Sequence, residues 1–310
     1  MKIIKNQKSF IENLLTIIRN LFIIIINQKS IIYIFKEVIY GLVTIALANQ
    51  KGGVGKTTTA HALGFGLHSL GASVLMVDTD PQCNLSSVCG LDSTEELATL
   101  YDVFKGECSI SDTIHQIRID GLDLVPSDLL LSGMDAELAG DLDAPFMLQE
   151  RLESVADSYD YCVIDTSPWL GILTTQALVA SDFVIIPICP DYFSIKGLLQ
   201  LHANIQKIQR RANSDLRVSG LLLTRCDRTN LTSIVKDNAQ KMATKMGTIV
   251  FESMIRQGVS VRESQLMQNS IFEEAPRSAA AKDYRCFIGE FLRKEGVSNG
   301  DKQGAGAVTT

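Results

Sequence analysis

Asn49-Gln50-Lys51-Gly52-Gly53-Val54-Gly55-Lys56-Thr57-Thr58 directly follows the apolar run 43–48 and precedes a stretch with helical spacing. A strand feeding a Gly-rich turn that opens a helix aims backbone N–H groups at one point, the geometry that cradles a phosphate chain. Gly52, Gly53 and Gly55 permit close approach and unusual dihedrals, and Val54 and Thr58 complete the cradle. Lys56 brings charge to the β- and γ-phosphates, and Thr57 offers a hydroxyl to Mg2+. Gln50 stands where the usual pattern has Gly, and beside it Lys51 is a second lysine. Lys56 already serves the phosphates, so Lys51 is free to point across an interface.

Outward from this loop, strands and helices alternate. The helix 57–70 stops at Gly71, and Gly64 and Gly66 inside it imply close packing against a sheet. A second strand, 73–77, completes a βαβ unit and so implies a parallel sheet. The interval 84–158 reads as mostly helical and acidic, with a short strand at 122–125. Strands at 161–164, 183–187, 218–224 and 248–251 then alternate with helices at 172–180, 194–212, 231–246 and 279–293. This order predicts a three-layer, doubly wound α/β domain with a mostly parallel sheet, spanning 43–295. The flanking segments are an Ile-rich extension, 1–42, and a Gly/Ser/Ala-rich tail, 296–310, expected to be disordered.

The extension has thirteen Ile in its first forty residues, but its apolar blocks fall short of a membrane span, and no signal-peptide cleavage site follows them. It reads either as an amphipathic membrane-surface helix or as sequence upstream of a start near Leu42 or Val43. Seven scattered cysteines without a C-x-x-C pair read as buried free thiols in a reducing cytoplasm. Four histidines form no metal cluster, and His61 and His68 are expected at the surface or core edge. The net charge of −6 is unevenly spread: residues 71–160 carry 3 Lys/Arg against 19 Asp/Glu, whereas 205–285 carry 14 against 8. The basic part reads equally as a polyanion contact or as ordinary solvated helix faces.

Ligands of open parallel sheets sit at the carboxyl ends of strands. Three such ends carry fitting groups: the glycine loop, Asp78 and Asp80 after the second strand, and Asp165 after 161–164. Phosphoryl transfer to water needs a held nucleophile and neutralised charge. Asp80 is the candidate for orienting the water, while Asp78, Asp165 and Thr57 are candidates for the Mg2+ environment. From the residues alone the nucleotide is ATP or GTP.

Lys51-Gly52-Gly53-Val54-Gly55-Lys56-Thr57-Thr58 resembles the deviant Walker A motif of the ParA/Soj partition ATPases, in the larger group that includes MinD. Asp78-Thr79-Asp80-Pro81-Gln82-Cys83-Asn84-Leu85-Ser86 is similar to that family's switch I, and Tyr161-Cys162-Val163-Ile164-Asp165-Thr166-Ser167-Pro168 to its Walker B and switch II. The resemblance runs from about 43 to 294, with Ser167 and Gln176 departing mildly from the family pattern. It implies ATP as the nucleotide and a homodimer in which Lys51 reaches the partner's phosphates. It further implies DNA binding without sequence preference, hence a cytoplasmic, nucleoid-associated protein, and slow hydrolysis stimulated by a ParB-type partner. Arg256 and Arg262 resemble the family's DNA-contacting segment, with Arg225, Arg228 and Lys245 as further candidates. A MinD-like, membrane-associated division regulator is the alternative, but the C-terminus 299–310 lacks the apolar face such a protein uses, so membrane contact is not expected. Against a metabolic member of the fold, such as an iron-protein reductase or amide-ligase-like synthetase, stand the lack of a cluster-ligating cysteine pattern and the basic C-terminal part.

Overall fold

A computed structural model describes residues 41–91, 97–117, 120–191, 194–227 and 230–297. The expectations for residues 1–40, for Arg228 and for the tail beyond 297 lie outside the described residues. One compact unit begins at Leu42.

Eight strands make one sheet: β1 (Val43–Leu47), β2 (Val74–Asp78), β3 (His115–Gln116), β4 (Leu122–Val125), β5 (Tyr161–Asp165), β6 (Phe183–Ile188), β7 (Arg217–Cys226) and β8 (Val250–Arg256). Their order is β3-β4-β2-β5-β1-β6-β7-β8, and only the β3–β4 pairing is antiparallel. The runs β1, β2, β5 and β6 are buried at every position, which is why they read as continuous apolar stretches. From β1 the chain moves to β2 on one side, and from β5 it crosses to β6 on the other. The order therefore reverses at β1, and a crevice opens at the carboxyl ends there. Register sets those ends level, with Leu47 opposite Asp165 and Asp165 opposite Asp78.

Strand alternation divides the core into two faces. Ile45, Leu47, Met76 and Val163 face α1 (Lys56–Ser69) and the last helix. On the other face, Val184, Ile186 and Leu221 meet α3 (Ser194–Arg211) and α4 (Asn230–Met246). Leu75, Val77 and Ile164 lie under α2 (Ile172–Val179) and the short helices of 100–153. The expected mostly helical interval is thus a chain of short pieces, because each covers only a patch of sheet.

Two further helices, α5 (Val259–Leu266) and Ile271–Glu274, and the strand β3 have no counterpart in the sequence-based reading. The last strand is also longer than expected, so Ile255 and Arg256 end a strand rather than lie in a loop. The last helix, α6 (Ala279–Glu295), closes on Gly296 at φ 68, and Val297 is buried with its N–H on the Leu292 carbonyl. Gly296 and Val297 are therefore ordered, against the expectation for the tail. Gly64 packs on Met76 of β2, as its position implied, but Gly66 meets Ile288 of α6 rather than the sheet.

Candidate functional site

The loop after β1 is fixed from several directions. Asn49 Nδ2 donates to the Pro187 carbonyl at 2.7 Å, and its Oδ1 accepts from the Lys51 N–H at 3.0 Å. Thr224, on β7, donates its hydroxyl to the Val54 carbonyl at 2.7 Å. Arg225 adopts a left-handed backbone (φ 53) and donates from Nη1 to the Gly53 carbonyl at 2.8 Å. Gly53 and Gly55 have φ of 73° and 86°, where a Cβ would be strained. The loop opens α1, a 14-residue helix whose first turn has no side-chain cap, so its N–H groups remain free for an anion.

Lys56 begins α1 and is 6% exposed. Burial lowers its pKa, while the charges of Asp165 and Asp80 oppose that shift. Asp165 is fully buried and neither of its oxygens has a hydrogen-bond partner. Burial pushes its pKa well above the carboxylate range, the charge of Asp78 adding to the rise. Thr57, which faces it without hydrogen-bond geometry, and Lys56 work the other way. A buried, unpaired carboxylate is costly, and a divalent cation between Thr57 and Asp165 would remove that cost. Among the described residues no three His, Cys, Asp or Glu side chains form a metal cage. That suits Mg2+, which takes one or two protein ligands and fills its shell with phosphate and water.

Asp78 is held differently. Its Oδ2 accepts from the Ser86 N–H and hydroxyl at 2.9 and 2.8 Å, and its Oδ1 from the Asp80 N–H at 3.1 Å. Burial still raises its pKa to about 6 against the pull of those bonds. With both oxygens engaged, Asp78 is placed to act through water rather than as a direct metal ligand.

A cavity of about 580 Å³ runs from Gly52, Lys56, Thr57 and Asp80 to Ile255, Val261 and Tyr284. Arg225, Arg256 and Arg262, candidates for DNA contact, all line it. Arg256 is clamped by Asp283 through Nε and Nη2 at 2.8 and 2.6 Å. Arg262 and Lys245 are exposed, with no ion pair among the described residues. Lys51 is half-buried and paired with Asp191, just beyond β6, within its own protomer.

His61 corrects the expected surface or core-edge position. It is 4% exposed, stacks near Phe65 at 4.5 Å and leaves its Nε2 without a partner. The sequence reading also missed Thr224, Asp191 and Gln265, whose Nε2 donates to the Thr58 hydroxyl at 3.0 Å. Thr224 near the end of an apolar run carried a strand-end signal, whereas Asp191 and Gln265 carried no local one.

A glycine loop at a sheet's reversal point, a buried lysine and a strand-end aspartate define a P-loop nucleotide-binding protein. The family described as AAA domain matches residues 42–218. The sporulation initiation inhibitor protein Soj of Bacillus subtilis is 37% identical over 257 residues, 83% of this chain and 98% of that protein. The chromosome partitioning protein ParA of Caulobacter vibrioides is 35% identical, over 82% and 95%. The chain belongs to the Soj/ParA family of P-loop ATPases. Among solved structures, cobyrinic acid a,c-diamide synthase from Mycobacterium smegmatis with bound ADP and magnesium superposes with a TM-score of 0.72 at 29% identity, covering 83% of this chain and 96% of that one.

Proposed function

We propose that this chain partitions DNA in an ATP-dependent cycle: ATP binding makes a homodimer that holds DNA without sequence preference, and hydrolysis, slow until a ParB-type partner accelerates it, releases it. The observation that carries the nucleotide reading is the unpartnered, buried Asp165 beside Lys56 and Thr57, a site left electrostatically incomplete by the protein alone. The relatives' names support the partition reading, and the ADP and magnesium of the diamide synthase support the cofactors.

Lys56 and the N–H groups of residues 52–58 grip the phosphates, and Thr57 and Asp165 hold Mg2+, with Asp78 ordering its water. Bound there, Mg2+ would supply charge neutralisation to the phosphates held by these residues. Asp80 orients the attacking water. Lys51 exchanges Asp191 for the partner protomer's phosphates, so dimerisation trades one anion for another instead of exposing a bare charge. Arg262 and Lys245, exposed and with no ion pair among the described residues, are the stronger DNA contacts, whereas Arg225 and Arg256 are already bonded to Gly53 and Asp283. A MinD-like membrane anchor at the last described helix is disfavoured, because α6 turns Tyr284, Phe287, Ile288 and Phe291 into the core.

The test is phosphate release with and without DNA and the product of any adjacent reading frame. Asp80→Ala should bind ATP and remain on DNA as a dimer, with turnover reduced at least about a hundredfold. Wild-type turnover in that variant would remove Asp80 from the chemistry.

A further inference from the structure

We propose that Ser127 is a positioning residue for Asp80, supplied from outside every nucleotide motif of the sequence. It follows Pro126 at the carboxyl end of β4, and it is 1% exposed. Its hydroxyl donates to the Asp80 carbonyl at 2.7 Å, across 47 residues of sequence. Its N–H donates to Ser86 Oγ at 3.1 Å, and Ser86 Oγ donates in turn to Asp78 Oδ2 at 2.8 Å. Asp78 Oδ1 accepts the Asp80 N–H at 3.1 Å, which closes a ring of four residues.

The ring clamps Asp80 at both its backbone groups, the N–H by Asp78 and the carbonyl by Ser127. Its Oδ1 accepts from the Gln82 N–H at 3.0 Å, so the carboxylate is oriented as well as the main chain, and Asp80 borders the cavity beside Lys56. A group that orients water contributes through placement, and a displacement of about 1 Å can cost about a hundredfold in rate. Two of the four bonds run through Ser127, and both join β4 to the segment after β2. The Pro126 carbonyl accepts from the Leu100 N–H at 2.9 Å, which anchors the serine's own backbone. Among the described residues the hydrogen bonds of Ser127 go to Asp80 and Ser86 and not to the phosphate loop or Asp165, so its effect falls on turnover and spares nucleotide affinity.

This inference rests on the ATPase reading above. Its test measures steady-state ATP hydrolysis by the full chain with Mg2+ and linear DNA, alongside Kd for a fluorescent non-hydrolysable ATP analogue. Ser127→Ala should lower kcat by about tenfold while KM and the analogue Kd stay within about twofold. Ser127→Thr, which keeps the hydroxyl, should recover most of the rate. An alanine variant as fast as wild type overturns the proposal. So does one whose analogue affinity falls in step with its rate, or a threonine variant as slow as alanine. A wild-type chain that binds the analogue but releases no phosphate sinks the ATPase reading itself and this inference with it, a result distinct from a variant that matches an active wild type.

Discussion

Asp165, Asp78 and His61 are buried groups within one βαβ neighbourhood, and each meets its burial in a different way. Asp78 is satisfied by Ser86 and Asp80, Asp165 leaves both oxygens without a hydrogen-bond partner, and His61 remains neutral, its pKa pushed down to about 4 by burial. Between pH 6.5 and 4 the unfolded chain takes up a proton at His61 that the folded chain refuses, so this residue lowers stability as pH falls. The raised carboxylates act in the opposite sense, because the folded chain binds their protons first. Comparing wild type with His61→Leu isolates the histidine: relative to the variant, wild type should lose up to about 3 kcal/mol across that interval. Urea unfolding at pH 7, 6 and 5 measures it, and a constant difference would contradict the neutral assignment. The catalytic candidates were legible because the motifs place them beside strand ends. Ser127, Asp191 and Gln265 were not, since each reaches the site only through tertiary pairing of distant segments.

At the scale of elements, the glycines of α1 show how a motif is held against its frame. Propensity alone disfavours Gly64 and Gly66, but a Cβ at either would press on Met76 or Ile288. Gly66→Ala should therefore destabilise by about 1–2 kcal/mol despite its better helix propensity. Adding Ile288→Val, which removes the colliding Cδ1, should return part of that loss, so the two changes would be non-additive in urea unfolding. Additive losses would place the strain elsewhere. The buried strands were legible because both their faces are apolar. Helix α5 was not, because Ser264 alone is fully buried in it and Val259 and Leu266 face outward, leaving no helical stripe to read. The two-residue β3 is too short to show alternation at all.

Across the whole molecule, the sheet order separates the charge that composition only hinted at. The acidic stretch 71–160 supplies β2, β3 and β4 at one side of the sheet, and the basic stretch 205–285 supplies β7 and β8 at the other. DNA retention through exposed arginine should fall steeply with salt, and Arg262→Glu should lower the slope of log K against log salt by about one. Anisotropy of labelled duplex between about 50 and 200 mM salt reads this directly, and an unchanged slope would remove Arg262 from the contact. The strand order has one more consequence. With the nucleotide crevice between an acidic and a basic flank, the sheet of the described unit has an electric dipole across it. In the field of a polyanion that dipole feels a torque, which turns the basic edge forward before any side chain makes contact.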